Sequence, residues 1–247
     1  MWQSLKQIKI SKWISFLIFV LLIYALQNAF FKLKYWLTDD QSLPLTALVL
    51  TGERQHITND IVTDVLAQQV DKLNFFTLEI TEIQKQLEEE PWIYSASIRK
   101  HWPDTLKIHI VEQTILASWN GKALLNRFGE IVEVVPNESD DYVALSGDDQ
   151  NSEEVLNTYL QLNQLLKPSH YRIASLRSDK RNSSELVLKN GITLKLGKEQ
   201  KLERIQLFLK AFPRIVKKYE INTIDYVDLR YDTGLAIGWK QIENNKK

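Results

Sequence analysis

The alternation of apolar and polar residues first breaks at Trp13 to Phe31, where WISFLIFVLLIYALQNAFF runs without a charged side chain. At about 1.5 Å per helical residue this run spans about 28 Å, close to the ~30 Å hydrocarbon core of a bilayer. Lys6, Lys9 and Lys12 precede it, and Lys32 and Lys34 follow, then Asp39 and Asp40. Three basic residues against two favour a cytoplasmic N-terminus. Trp13 at one end and Tyr35 and Trp36 at the other have the character of interfacial anchors. Gln27, Asn28 and two phenylalanines stand where a small-x-small cleavage site would fall, so the run reads as an uncleaved signal anchor.

Beyond a connector over residues 32–43, closed by Leu43-Pro44, the period shortens. Leu45 to Thr51 reads as a strand stopped by Gly52. Thr58 is placed to cap a helix with apolar residues at Ile61/Val62, Val65/Leu66 and Val70. Thr81-Glu82-Ile83-Gln84 carries the capping-box pattern of a second helix, which should stop before Pro91. Trp92 to His101 and Thr105 to Glu112 read as strands joined by the turn Trp102-Pro103-Asp104. Leu106, Ile108 and Ile110 share one face of the second, with Lys107 and His109 opposite. Residues 44–113 thus form a small α+β unit in the order strand, helix, helix, strand, strand.

Short strands follow over Ala117 to Trp119, Ala123 to Leu125 and Glu130 to Val135. Pro136 to Asn151 is an acidic loop broken by the apolar patch Tyr142 to Leu145. Ser152-Glu153-Glu154 opens a helix with a hydroxyl cap and two carboxylates at its positive end; its stripe is Val155, Tyr159, Leu162 and Leu166, ending at Pro168. Glu185 to Lys189 and Ile192 to Leu196 flank Asn190-Gly191, the signature of a two-residue hairpin turn. A long helix from about Glu199 repeats Leu202, Ile205, Leu209, Phe212 and Val216, with Pro213 expected to kink or restart it. Last come strands over Ile224 to Tyr231 and Leu235 to Trp239 around the turn Asp232-Thr233-Gly234. The divisions are a basic tail 1–12, an anchor 13–31, the connector 32–43, the α+β unit 44–113, a second domain 114–240 and a polar tail 241–247.

Composition changes the picture in two ways. Thirty-one basic and 31 acidic residues cancel, so a broad electrostatic footprint for nucleic acid is not expected. The absence of cysteine removes thiol catalysis and every cysteine-containing metal site, and leaves the domains to fold on their cores alone. His56, His101, His109 and His170 show no metal-ligand spacing. No G-x-S-x-G, phosphate loop or H-E-x-x-H occurs. Glu88-Glu89-Glu90 near a helix end reads as solvated surface, with no basic or metal partner in view. Arg99-Lys100-His101-Trp102 is too short for a nucleic-acid patch and fits cross-strand packing. The chain reads as a non-enzyme with no cofactor.

Three sets of residues carry a resemblance. They are Leu48 to Arg54 (LVLTGER), Pro91-Trp92-Ile93 followed by Ser97 to Glu112 (SIRKHWPDTLKIHIVE), and Tyr226 to Trp239 (YVDLRYDTGLAIGW). Together they resemble the FtsQ/DivIB family of bacterial cell-division proteins, the last run in its Gram-negative form. Thr233 stands where that family often has serine.

The resemblance implies a single-pass inner-membrane protein of the division septum, its N-terminus cytoplasmic and its C-terminus periplasmic. It implies a POTRA domain (β-α-α-β-β) followed by an antiparallel β domain with helices. It also implies a scaffold that binds FtsB and FtsL through the β domain. Early divisome proteins such as FtsK would meet it at the POTRA domain, with the septal peptidoglycan synthase FtsW–FtsI linked indirectly. Matched onto this chain, the FtsB contacts are Tyr231, Thr233, Gly234, Leu235 and Trp239, with Arg230 and Gly238 as further candidates. A terminal strand at a sheet edge would offer unpaired amides and carbonyls to an incoming strand. Trp239 could equally cover the helix beneath the sheet, because alternation alone does not say which face is core. Leu48, Val49, Leu50 and Thr51 form a second candidate edge. Two other classes compete. A signal-anchored cell-wall hydrolase would need an acid and base in one cleft. A POTRA-containing outer-membrane assembly or secretion component would carry several such modules or a barrel.

Overall fold

The computed structural model describes residues 3–39, 45–53, 55–67, 74–137, 140–231 and 234–240, with side chains from residue 13 onward. Leu43-Pro44, Val70, the turn residues Asp232 and Thr233, and the tail 241–247 lie outside the described residues. Helix α1 spans Gln3–Thr38. Its segment Trp13–Thr38, mean hydropathy 2.1, is long and apolar enough to cross a membrane, and none of it is buried within the protein. The helix therefore continues past Phe31 by two turns. Near its far end the Asn28 amide donates to the Tyr24 carbonyl at 3.3 Å, returning a polar group to the helix backbone.

The chain divides at Glu112/Gln113. After α1, the first unit contains β1 (Ala47–Thr51), α2 (Asn59–Ala67), α3 (Ile80–Glu88), β2 (Ile93–His101) and β3 (Thr105–Glu112). The sheet order is β1-β3-β2, with β1 parallel and β2 antiparallel to β3. Burial follows the period-2 pattern: Leu106, Ile108 and Ile110 are buried, while Lys107 and His109 are exposed. Val62, Ile83 and Leu87 from the two helices complete that core. Helix α3 starts one residue before the capping box read from the sequence. Its N-cap is Glu79, in extended conformation and without a side-chain cap bond, so Thr81 lies inside the helix.

The second unit is a nine-stranded sheet in the order β12-β11-β10-β9-β8-β7-β4-β5-β6. Its strands are β4 (Ile115–Trp119), β5 (Ala123–Asn126), β6 (Ile131–Val132), β7 (Val143–Ser146), β8 (Ile173–Ser178), β9 (Ser184–Leu188), β10 (Thr193–Gly197), β11 (Ile224–Asp228) and β12 (Ala236–Trp239). Helices α4 (Ser152–Leu166) and α5 (Lys201–Ile215) contribute Val155, Leu156, Leu162, Leu166, Ile205, Phe208 and Phe212 to one core with the inward strand residues. Each such fully buried side chain stabilises by about 1.5–3 kcal/mol.

Several details depart from the sequence reading. The sheet is mixed: β10/β11, β7/β8 and β4/β7 pair in parallel, where an antiparallel domain was expected. Strands β7 and β8 were not read as strands. Ser152 is not a cap, because its Oγ donates to the Gly129 carbonyl at 2.7 Å. The preceding turn is capped instead by Asp148, which accepts from Gln150 N–H. The Asn190-Gly191 hairpin has a three-residue loop. Leu188 N–H bonds to Ile192 O at 2.9 Å and Gly191 N–H to Leu188 O at 2.8 Å, and only Gly191 takes positive φ. That is a turn followed by a bulge, which needs one left-handed residue instead of two. Pro213 sits in the last turn of α5, which ends two residues later.

Candidate functional site

Strand β12 is the outer strand of the large sheet and pairs with β11 alone among the described residues. The ladder runs Val227↔Ile237 and Asp228↔Ala236, and an extra residue, Asp225, bulges β11 between Ile224 and Tyr226. Lys240 N–H donates to Thr223 O at 2.9 Å, which turns the backbone of residue 240 toward β11. In an antiparallel pair this orientation alternates, so 238 and 236 also face β11. The amides and carbonyls of Leu235, Ile237 and Trp239 face outward, along the free margin.

The two faces of that margin differ. Leu235 and Ile237 pack half-buried against the core on the helix side. Trp239 follows on the same face, 45 % exposed, with its ring tilted against Tyr219 at a centroid distance of 4.9 Å. Tyr219, just beyond α5, is exposed beside it, Ile221 two residues further on is exposed as well, and the sequence pattern singles out neither. On the other face Tyr226 lies over Gly238. A β-carbon there would come within 2.1 Å of the tyrosine ring, so only glycine leaves that ring its place. The Lys195 ammonium stands 4.0 Å from the centroid of the same ring, a cation–π contact that holds it flat.

Tyr231, 56 % exposed, leads from β11 toward β12. Gly234 has nothing within 4 Å of where a β-carbon would be. Thr233 lies outside the described residues. Arg230 is committed: its Nε and Nη2 donate to the two Asp228 carboxylate oxygens at 2.9 and 2.6 Å. The guanidinium holds the Asp228 carboxyl below the usual carboxylate range. Asp228 ends a row in register across the open face, Arg177–Glu185–Lys195–Asp228, with charge alternating at each strand and Ala236 next in line. Opposite charges facing each other across strands contribute about 0.2–1 kcal/mol a pair. The margin therefore adjoins a polar, satisfied face on one side and an aromatic shelf on the other.

The second candidate edge is β1, the outer strand of the small sheet. Leu48 and Val49 are each 40 % exposed, Leu50 is half-buried and Thr51 exposed. Thr51 Oγ1 lies 3.0 Å from His109 Nδ1 on the neighbouring strand.

Several titratable side chains have structural partners. Glu88 accepts the Ala96 N–H at 3.0 Å, and Glu89 faces Lys85 at 3.9 Å on the exposed side of α3. Glu112 accepts the backbone N–H groups of Gln55, His56 and Ile57. Burial alone would raise its pKa, but these donors together with the His56 side chain outweigh it and hold the carboxyl low. The His56 ring stacks on Trp92 at 3.9 Å and sits 3.5 Å from the same carboxylate. Among the described residues no three His, Asp or Glu side chains are arranged to hold a metal ion.

Residues 43–113 match the FtsQ-type POTRA domain, and residues 117–230 match the C-terminal region of cell division protein FtsQ/DivIB. The chain is 40 % identical over 210 residues to cell division protein FtsQ of Shewanella oneidensis, covering 85 % of this chain and 79 % of that one. It is 37 % identical over 209 residues to FtsQ of Vibrio cholerae (83 % and 78 % covered). With FtsQ of Escherichia coli the identity is 36 % over 209 residues (83 % and 76 % covered). The first match covers the strand-helix-helix-strand-strand unit and the second covers the helix-backed sheet up to β11, and the chain belongs to the FtsQ/DivIB family of cell division proteins.

Proposed function

We propose that this protein is a non-enzymatic scaffold of the divisome, tethered in the inner membrane by α1, with its N-terminus cytoplasmic and both folded units periplasmic. It captures FtsB, and with it FtsL, by strand addition at β12, and so links early division proteins to septal peptidoglycan synthesis by FtsW–FtsI. The observation that carries this reading is the outward backbone of Leu235, Ile237 and Trp239, a row of donors and acceptors with no strand beyond it among the described residues. Backbone bonds would supply general affinity, and the shelf of Trp239, Tyr219 and Ile221 would select large apolar side chains at alternate positions of the added strand. Tyr231, Thr233 and Gly234 would border its entry, with Leu235 at its start, Gly238 beneath Tyr226, and Arg230 at the rim. Tyrosine and tryptophan are residue types that dominate interface energetics. Leu48 to Thr51 on β1 would serve early partners such as FtsK.

A photo-crosslinking residue placed at Trp239 in living cells tests the contact: an adduct with FtsB is expected there and none at a core-facing control, and no adduct at Trp239 would overturn the strand-addition reading. Depletion tests the cellular role. Long filaments without septa, together with a midcell band of a fluorescent fusion, are expected; normal septation would refute it.

A further inference from the structure

The second unit opens a groove of about 960 Å³ between the C-terminal end of α4 and the entry to β8. Tyr142, Tyr159 and Tyr171 line it, each half-buried, with Lys167, Arg172 and Lys189 around them. Local chain geometry brings these residues together. Pro168 follows the end of α4, His170 takes φ +61°, and the chain turns back so that Tyr171 meets Phe208 and Phe212 edge-on at 5.3 and 6.2 Å. Lys189 N–H then donates to Arg172 O at 2.8 Å, tying the end of β9 to the start of β8.

The charge of the groove is unbalanced. Its one carboxylate, Asp141, is bound by Lys189 at 2.8 and 3.1 Å. Lys167 and Arg172 have no carboxylate within ion-pair distance among the described residues. The chain as a whole is neutral, so this excess of positive charge is local. The volume is in the ~300–1,000 Å³ range of small-ligand clefts, far beyond a single ion.

The surroundings argue against a peptide. Strand addition needs a free margin, and β8 is bonded on both sides, by β7 and β9. Acidic-motif readers gather several arginines, and this groove has one. Tyrosine rings instead present flat apolar faces with a polar tip, which suits the puckered, hydroxyl-rimmed face of a sugar. We propose that this groove binds an anionic saccharide, its rings stacked on the tyrosines and its carboxylates paired with Arg172 and Lys167. The amide of Asn163, also in the lining, is placed to bond an acetamido or hydroxyl group. Burial raises the pKa of both Tyr159 and Tyr171, so their hydroxyls stay protonated and can donate at neutral pH. Strands β9, β10 and β11 separate the groove from β12, so this inference does not rest on the strand-addition reading.

The test uses the full chain in nanodiscs and saturation-transfer difference NMR with three sugars. These are a disaccharide–peptide fragment of peptidoglycan, tetragalacturonate and neutral chitotetraose. Saturation is expected on the ring protons of an acidic sugar, with chitotetraose about tenfold weaker or more. Tighter binding of the peptidoglycan fragment assigns the ligand to cell wall; tighter binding of tetragalacturonate assigns it to another uronate-type polymer. The double substitution Lys167→Gln, Arg172→Gln, at two exposed side chains, should weaken the acidic sugar about tenfold or more with an unchanged melting point. The proposal is overturned by no transfer to any sugar, by equal binding of the neutral one, or by unchanged affinity in the double variant. It is equally overturned if hexaglutamate displaces the sugar at equal concentration, which would mean that charge alone is read.

Discussion

Ile237→Pro separates what the backbone of β12 does from what its side chains do. The amide of residue 237 points away from β11, so a pyrrolidine ring there removes one outward donor and leaves the β11 ladder in place. Proline is tolerated on edge strands in just this orientation, and Ala236 before it is already extended. The fold loses the packing of a half-buried isoleucine, about 1–2 kcal/mol, below the range for a fully buried one. For a domain of this size that is a fall in Tm of about 3–8 °C. Ile237→Ala suffers the same packing loss and is the reference. Binding should fall much further. An incoming strand forfeits a net hydrogen bond of about 0.5–1.5 kcal/mol and buries its own carbonyl unpartnered, at about 1–3 kcal/mol. The two together, about 2–4 kcal/mol, weaken Kd by roughly 30- to 1,000-fold relative to Ile237→Ala. Calorimetric titration of the soluble part of FtsB into the full chain in nanodiscs reads the difference. If the proline and alanine variants bind within about threefold of each other, the partner does not use this margin as a strand.

Three further outcomes follow from the same geometry. Gly238→Ala must push the Tyr226 ring aside and break its contact with Lys195, a loss of about 0.5–1 kcal/mol; Tm should fall by about 2–4 °C while FtsB affinity drops, and unchanged affinity would remove Tyr226 from the site. Gly129→Ala puts a methyl group 2.5 Å from the Glu153 Cα at φ +84°, so strain and overpacking together should cost about 2–4 kcal/mol, read in a denaturant melt of the full chain. Glu112→Gln removes the charge that three amides bond. Because the folded carboxyl is held below its unfolded value, its contribution is present above about pH 4 and is lost as pH falls through the lower folded value. The wild-type minus variant difference in stability, about 1–3 kcal/mol at pH 7, should therefore shrink toward zero as the acid limb is descended.

How far the sequence discloses this depends on whether local pattern or distant pairing decides. The small unit was legible because each element carries its own signal: Leu106, Ile108 and Ile110 alternate, and Pro91 stops the second helix. Strands β7 and β8 were not. β7 has four residues inside an acidic loop, and β8 is irregular near Ala174, where its register with β9 shifts and its alternation breaks. β7 joins parallel neighbours on both sides, whose pairing leaves no adjacent turn to read, and β8 has an antiparallel neighbour only in β9. The helix caps failed differently: Ser152 and Thr81 have the right residue types, but Gly129 and the early start of α3 decide where they sit. At the candidate site, motif residues came from the chain directly. Their faces did not, because the pairing of Ile237 with the buried Val227 sets which side of β12 meets the core. Tyr219 and Ile221 carried no signal at all; an aromatic after a helix becomes a shelf only when Trp239 arrives beside it from later in the chain.

The two ends of the nine-stranded sheet are unequal. β6 has two residues, too few to template another strand, whereas β12 offers a longer row. A sheet that can lengthen at one end only has a valence of one. On the strand-addition reading proposed above, this sheet would take a single guest strand, at β12, and the added strand would become the new outer boundary. Stoichiometry at this sheet would then be one to one, because β6 is too short to template a second guest at the opposite end.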